Sequence, residues 1–328
     1  MAFQVTWSDR PNTVGLDTRV ALLGDDQHRL EVWPAFGFNA FRWLASGQEL
    51  LYRTPQFFDE NRPSRGGFPI LFPFPNRIRD GRFTWDGKSY QLPLNDPAGK
   101  NAIHGFACYR PWRIVDQGAS TASAWITAEF HAARDAVDVL PLWAGDHRIR
   151  VTYRLLENVL RVEADVDNPG STPLPFGLGY HPYFKLATFA GPKAIVRVAS
   201  PRRWELLDNL PTGKLLDVDE KRDLRHGQFH AALQLDDVAT DLYNFAYDPD
   251  EQLGLVAMLQ NPPAERVLTM WVSEGFREMV LFTPPHREAI CLEPYTCVTD
   301  AINLPSNSGL RVLPPGEHWR GVVELHAA

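Results

Sequence analysis

Residues 147–170 read HRIRVTYRLLENVLRVEADVDNPG, and their periodicity decides the fold class. Ile149, Val151, Tyr153 and Leu155 alternate with polar residues. Alternation at period two gives a strand one apolar face and one wet face. Glu157-Asn158 breaks the pattern as a turn, Leu160, Val162, Ala164 and Val166 resume it, and Asn168-Pro169-Gly170 closes the unit. The segment predicts an antiparallel hairpin with one buried face. Residues 81–94, GRFTWDGKSYQLPL, predict another. There Phe83 and Trp85 lead into Asp86-Gly87, a pair suited to a type I′ turn because both central residues take positive φ. The tail GLRVLPPGEHWRGVVELH (309–326) reads as a strand, a Pro-Pro-Gly-Glu turn and a last strand. Helical periodicity is scarce; VDEKRDLRHGQFHAAL (218–233) is the one stretch that predicts a short helix.

Many short strands joined by turns predict an all-β, mostly antiparallel sandwich or barrel with few short helices. The 27 prolines and 23 glycines are spread along all 328 residues, and no low-complexity linker divides them, so residues 1–328 read as a single domain. No fixed-period repeat suggests a propeller.

The bulk chemistry narrows the function. Against 33 Lys and Arg stand 40 Asp and Glu, a net charge of −7 with no basic stripe, which argues against a nucleic-acid partner. Cys108, Cys291 and Cys297 form no CxxC pair. This argues against a disulfide framework and against a thiolate metal site, and fits a reducing, cytoplasmic location. The N-terminus lacks the apolar core of a signal peptide. The richest apolar run, FPILFPFP (68–75), is broken by Pro69, Pro73 and Pro75, so no membrane span is expected. Nucleotide-binding glycine motifs, GxSxG and HExxH are absent from the sequence.

Four polar words interrupt otherwise apolar segments. His104 sits in NAIHGF (101–106), His181 in FGLGYHPYF (176–184), Glu293 in CLEPYT (291–296), and Asn76-Arg77 follow the proline-rich run in FPFPNRIRDG (72–81). Taken singly, each histidine reads as a core histidine bonded to a carbonyl, and Glu293 as the partner of Arg77 in a buried ion pair. The remaining histidines lie among polar residues or near the chain end and read as surface groups. Taken together, the set can converge only if strands distant in sequence line one sheet face. Two histidines and a carboxylate could bind zinc, as in a metal hydrolase, or transfer protons. Metal ligands often come as close pairs on one element, and none does in this set, so proton transfer is favoured. Ten tryptophans could offer a sugar platform, but no single one is marked out.

The words PNRIRDGRFTWDGKSYQLPLN (75–95), NAIHGF, GYHPYF, LPTGK (210–214) and CLEPYT occur in an order that resembles the aldose 1-epimerase (mutarotase) family. The resemblance runs from about Gly37 to the C-terminus. It implies a galactose-mutarotase-like β-supersandwich, a monomer or homodimer acting on a monosaccharide without cofactor or metal. It also implies that Glu293 is the base, His181 the acid and His104 a second active-site histidine, with Arg77 and Asn76 on the sugar. A sugar-binding aspartate is expected in LQLDDVATDLYN (233–244), where Asp236, Asp237 and Asp241 compete and Asp236 is preferred for its place after an apolar strand. Where the family often has a second glycine, Phe106 is expected to narrow the site or stack on the sugar. The implied activity interconverts the anomers of a free hexose such as glucose or galactose. The alternatives are a hexose-6-phosphate mutarotase, with Arg79 and Arg82 as candidate phosphate ligands, and a non-catalytic carbohydrate-binding protein.

Overall fold

The computed structural model describes residues 2–305 and 308–328. Its ladders carry the alternation read above. Ile149 pairs with Val166, Val151 with Ala164, Tyr153 with Val162 and Leu155 with Leu160, and all eight side chains are fully buried. The polar faces meet too, with Arg148 bonded to Asp167 at 3.1 Å. The turn between them is tight, with Glu157 at φ 42°. The second hairpin forms as expected, with Asp86 and Gly87 at φ 46° and 73° and the Phe83 and Tyr90 rings stacked 4.7 Å apart.

Two large sheets face each other. The first has ten strands and includes, in neighbouring order, Ala124–His131, Arg148–Leu156, Val159–Asp167, His318–Ala327, Arg266–Ser273 and Leu253–Asn261. The tail therefore ends as an interior strand of this sheet, while Arg311–Leu313, on the far side of its turn, pairs with Leu174–Phe176. The second sheet has eight strands, with Asp236–Thr240, Glu278–Phe282, Ala289–Tyr295, Gly179–Tyr180 and Ile70–Leu71 side by side. A five-stranded sheet runs from Gln4–Asp9 to Gln48–Glu49. Every strand ladder among the described residues is antiparallel. The interior between the two large sheets is one continuous apolar cluster, containing Val151, Tyr153, Val162 and Val323 from the first and Tyr180, Phe184, Leu281, Ile290 and Leu292 from the second. Burial on this scale, at roughly 25 cal/mol per Å² of apolar surface, is the main force holding the sheets together.

The expected helix over 218–233 does not form. Asp219 Oδ1 accepts the N–H groups of Lys221 and Arg222, which closes a turn instead of starting a helix. Gly227 then takes φ 91°, Gln228–Phe229 pairs as a short strand with Ile195–Val198, and a single 3-10 turn, His230–Ala232, follows. The α-helix found among the described residues, Ala132–Asp135, is four residues long. His147 and His230, read as surface groups, are buried; His147 packs against Phe72, Phe106 and Phe130 just before the strand Arg148–Leu156.

Candidate active site

The strand Ala289–Tyr295 explains how a carboxylate sits in a core-like run. Its seven residues are all buried. Ile290 and Leu292 point into the large cluster between the sheets, and Cys291, Glu293 and Tyr295 necessarily point to the opposite face. Glu293 is 1% exposed. The neighbouring chain supplies its partner through register. Gly179 pairs with Tyr295 and Tyr183 with Cys291, so His181, midway between, stands opposite Glu293. His181 Nε2 lies 3.4 Å from Glu293 Oε1. A separation of 112 residues is thus closed by one antiparallel step.

Tyr295 completes the pair, its hydroxyl donating to Glu293 Oε2 at 2.5 Å. It was not singled out from sequence, although its place two residues after Glu293 on a strand puts it on the same face. His181 is braced by Tyr183, whose ring stacks on it at 4.7 Å and donates its hydroxyl to the Ser64 carbonyl at 2.5 Å.

His104 arrives from a loop. Its ring sits edge-on to that of His181 with centroids 5.5 Å apart. Its backbone takes φ 67°, and Gly105 follows at φ 64°. A Cβ at Gly105 would come within 2.3 Å of the Phe72 carbonyl oxygen, so only glycine lets the loop approach this closely. The His104 N–H bonds to the Asn76 carbonyl at 2.9 Å, and the strand Arg77–Ile78 pairs with Ala102–Ile103, which fixes the two words against each other. Asn76 itself has φ 54° and accepts from Arg77 Nη1 at 3.1 Å.

Arg77 does not form the buried ion pair with Glu293 expected of the two residues taken singly. Its Nε lies 3.6 Å from Asp96, a buried carboxylate that also ties down the backbone at Lys100 and Asn101. Of the three candidate aspartates, Asp237 is engaged by Arg222 at 2.9 Å and Asp241 by Arg202. The Asp236 carboxylate makes no hydrogen bond or ion pair among the described residues, and its charge acts on Glu293 and feels Arg77. The structure therefore brings together Glu293, His181, His104, Asn76, Arg77 and Asp236. It does not bring Phe106 to them. That ring packs against Phe74 and His147 within the main apolar cluster, because the turn after Gly105 directs it inward.

Burial dominates the electrostatics. It pushes the Glu293 carboxyl well above its ordinary range, helped by Asp236 and opposed by the Tyr295 bond and Arg77. It pushes His181 down to about 3, and His104 well below its usual value with the added influence of His181 and Arg77. His104 is therefore a neutral imidazole near neutral pH. Attraction between an imidazolium and a carboxylate at the observed 3.4 Å works against burial. It is worth about 5 kcal/mol at an effective dielectric near 20. Tyr295 and Arg77 favour the state in which Glu293 is the carboxylate. Asp236 is exposed and Arg77 half-buried, so polar groups lead from solvent down to the covered pair.

A covered His181–Glu293 pair beneath polar side chains, on an antiparallel sandwich, is an arrangement able to move protons on a polar ligand. The family model for aldose 1-epimerase matches residues 42–326, and the chain belongs to that family. It is 26% identical over 259 residues to the uncharacterized protein YihR of Escherichia coli, covering 76% of each chain. It is also 26% identical over 263 residues to the galactose mutarotase of Rattus norvegicus, covering 74% of this chain and 73% of that one. Among solved structures, a galactose mutarotase-like protein from Clostridium acetobutylicum superposes with a TM-score of 0.86 at 21% identity over 99% of both chains. The fold is galactose-mutarotase-like.

Proposed function

We propose that the protein is an aldose 1-epimerase that interconverts the α and β anomers of a free hexose such as glucose or galactose. The observation that carries the reading is the 3.4 Å approach of His181 Nε2 to Glu293 Oε1 on a covered sheet face. Anomer exchange requires the O1 hydroxyl to lose a proton while the ring oxygen gains one. Glu293 Oε1 takes the O1 proton, since Oε2 is occupied by Tyr295. His181 Nε2 delivers a proton to the ring oxygen and the C1–O5 bond opens. Rotation about C1–C2 turns the other face of the aldehyde to the ring hydroxyl, and closure reverses both transfers. Each positioned acid or base contributes about 10²–10⁴-fold. Neutral His104 hydrogen-bonds a sugar oxygen, and Arg77, Asn76 and Asp236 hold hydroxyls. The rat relative's name, galactose mutarotase, supports the same chemistry.

The residues that would favour a phosphorylated sugar are otherwise engaged. Arg79 Nε lies 3.5 Å from Asp300, and Arg82 bonds to Gln91 at 2.8 Å. This favours the unphosphorylated hexose. The test is polarimetry and NMR on freshly dissolved α-glucose, α-galactose and glucose 6-phosphate, with spontaneous mutarotation subtracted and with and without a strong chelator. Acceleration of a free hexose that survives the chelator is expected. Acceleration of glucose 6-phosphate alone would shift the substrate class, loss of activity with chelator would make the protein metal-dependent, and no acceleration of any sugar would leave a binding protein.

A further inference from the structure

Cys291 and Glu293 are two residues apart on the strand Ala289–Tyr295 and face the same way, and strand register adds a third donor to them. His181, between the strands Gly179–Tyr180 and Tyr183–Lys185 that both pair with Ala289–Tyr295, shares a face with Glu293 and Cys291, Cys291 standing opposite Tyr183. A ring nitrogen of His181, the Cys291 sulfur and a Glu293 carboxylate oxygen all lie within 4.8 Å of one another, and all three residues are buried. Imidazole, thiolate and carboxylate are zinc's three protein ligand types, and three of them leave a fourth position open. The sulfur and nitrogen donors disfavour magnesium and calcium, which prefer oxygen. Bond lengths of about 2.0–2.3 Å imply ligand–ligand edges of roughly 3.5 Å, so the side chains close in by about an ångström on binding. Cys108 and Cys297 belong to no such group among the described residues.

We propose that His181, Cys291 and Glu293 form an inhibitory site for zinc or another thiophilic divalent cation, seated on the acid–base pair itself. The Cys291 thiol releases its proton to solvent as the sulfur–metal bond forms. The metal occupies the His181 lone pair and the carboxylate oxygen that proton transfer needs, so bound metal and turnover exclude each other. The inhibitory consequence rests on the acid–base reading above; the binding does not. Cys291 has no part in that proton transfer.

The experiment titrates the metal-free full-length protein with cobalt(II) and follows the near-ultraviolet thiolate-to-cobalt absorption in wild type, Cys291→Ser and Cys291→Ala. Mutarotation is measured in parallel against zinc, followed by EDTA. Wild type should develop the absorption, lose activity with zinc and regain it with EDTA. Both variants should lack the absorption, keep their uninhibited rate and need at least about tenfold more zinc for the same inhibition, as for loss of a metal-site partner. No absorption in wild type, or equal zinc sensitivity in the variants, overturns the proposal. Cobalt absorption in a protein that accelerates no sugar supports the metal site and overturns the acid–base reading instead.

Discussion

Replacing Tyr295 with Phe removes one hydroxyl and nothing else, and its effect can be worked out from the geometry. The hydroxyl donates to Glu293 Oε2 at 2.5 Å with both residues buried. A hydrogen bond to a charged group contributes about 1.5–3 kcal/mol. Because Tyr295 is a donor, it stabilises the carboxylate and opposes the upward push of burial. Without it the carboxylate loses that stabilisation and burial pushes the Glu293 pKa higher still. A base must be ionised, so the acidic limb of the rate–pH profile should move to higher pH. At a fixed pH on that limb the rate should fall about 10–100-fold, and above the shifted limb most of it should return. Polarimetric rates across pH, with the spontaneous rate subtracted, give the answer. If the rate falls equally at every pH, Tyr295 acts through packing alone; if neither rate nor limb changes, Glu293 is not the group that titrates.

The two histidines should separate. His181→Asn, which cannot cycle a proton, should lose at least about 10²-fold in turnover together with the limb that requires a protonated acid, whereas His104→Asn should lose activity and keep both limbs. The reverse outcome in rate–pH profiles would exchange their roles. Arg77→Ala should reduce kcat/KM by about 10–100-fold, mostly through KM, by removing charge-assisted bonds to sugar hydroxyls. An unchanged KM with a lowered unfolding midpoint would make Arg77 only the partner of Asp96. Glu278 tests burial away from the pair: desolvation pushes its carboxyl up to about 7 although Thr240, Arg277 and Trp204 bond it. The folded state holds this proton more tightly than the unfolded chain, so stability should fall as pH rises from about 4.5 through 7, by about 3 kcal/mol from this group. Glu278→Gln should flatten that slope in urea unfolding at pH 5 and pH 8, and an unaltered slope would refute it.

Much of this was legible because the chemistry lies in words with strong local signals. The hairpin at 148–167 announces itself by period two, and Asp86-Gly87 by its turn chemistry. Glu293, His181 and His104 stand out as ionisable residues among apolar ones, and the order of their words carries the family. What the words cannot encode is register. That His181 falls opposite Glu293, and so joins the face that Cys291 and Tyr295 share with it, follows from pairings between segments more than 100 residues apart. Phe106 was misread because a residue after a left-handed glycine can turn either way, and only the packing of Phe74 and His147 decides. The choice among Asp236, Asp237 and Asp241 likewise turned on arginines elsewhere in the chain. The helix over 218–233 failed because an Asx turn at Asp219 competes locally with helix initiation.

The central claim is that Glu293 is the base, and Glu293→Gln tests it with the least disturbance. The amide keeps the shape and still accepts from Tyr295, but it cannot take the O1 proton. Turnover of fresh α-galactose or α-glucose by polarimetry should fall by at least about 10²-fold, while the unfolding midpoint and the calorimetric affinity for the sugar stay close to wild type. A folded Glu293→Gln protein that binds sugar and turns it over at a near-normal rate would contradict the account.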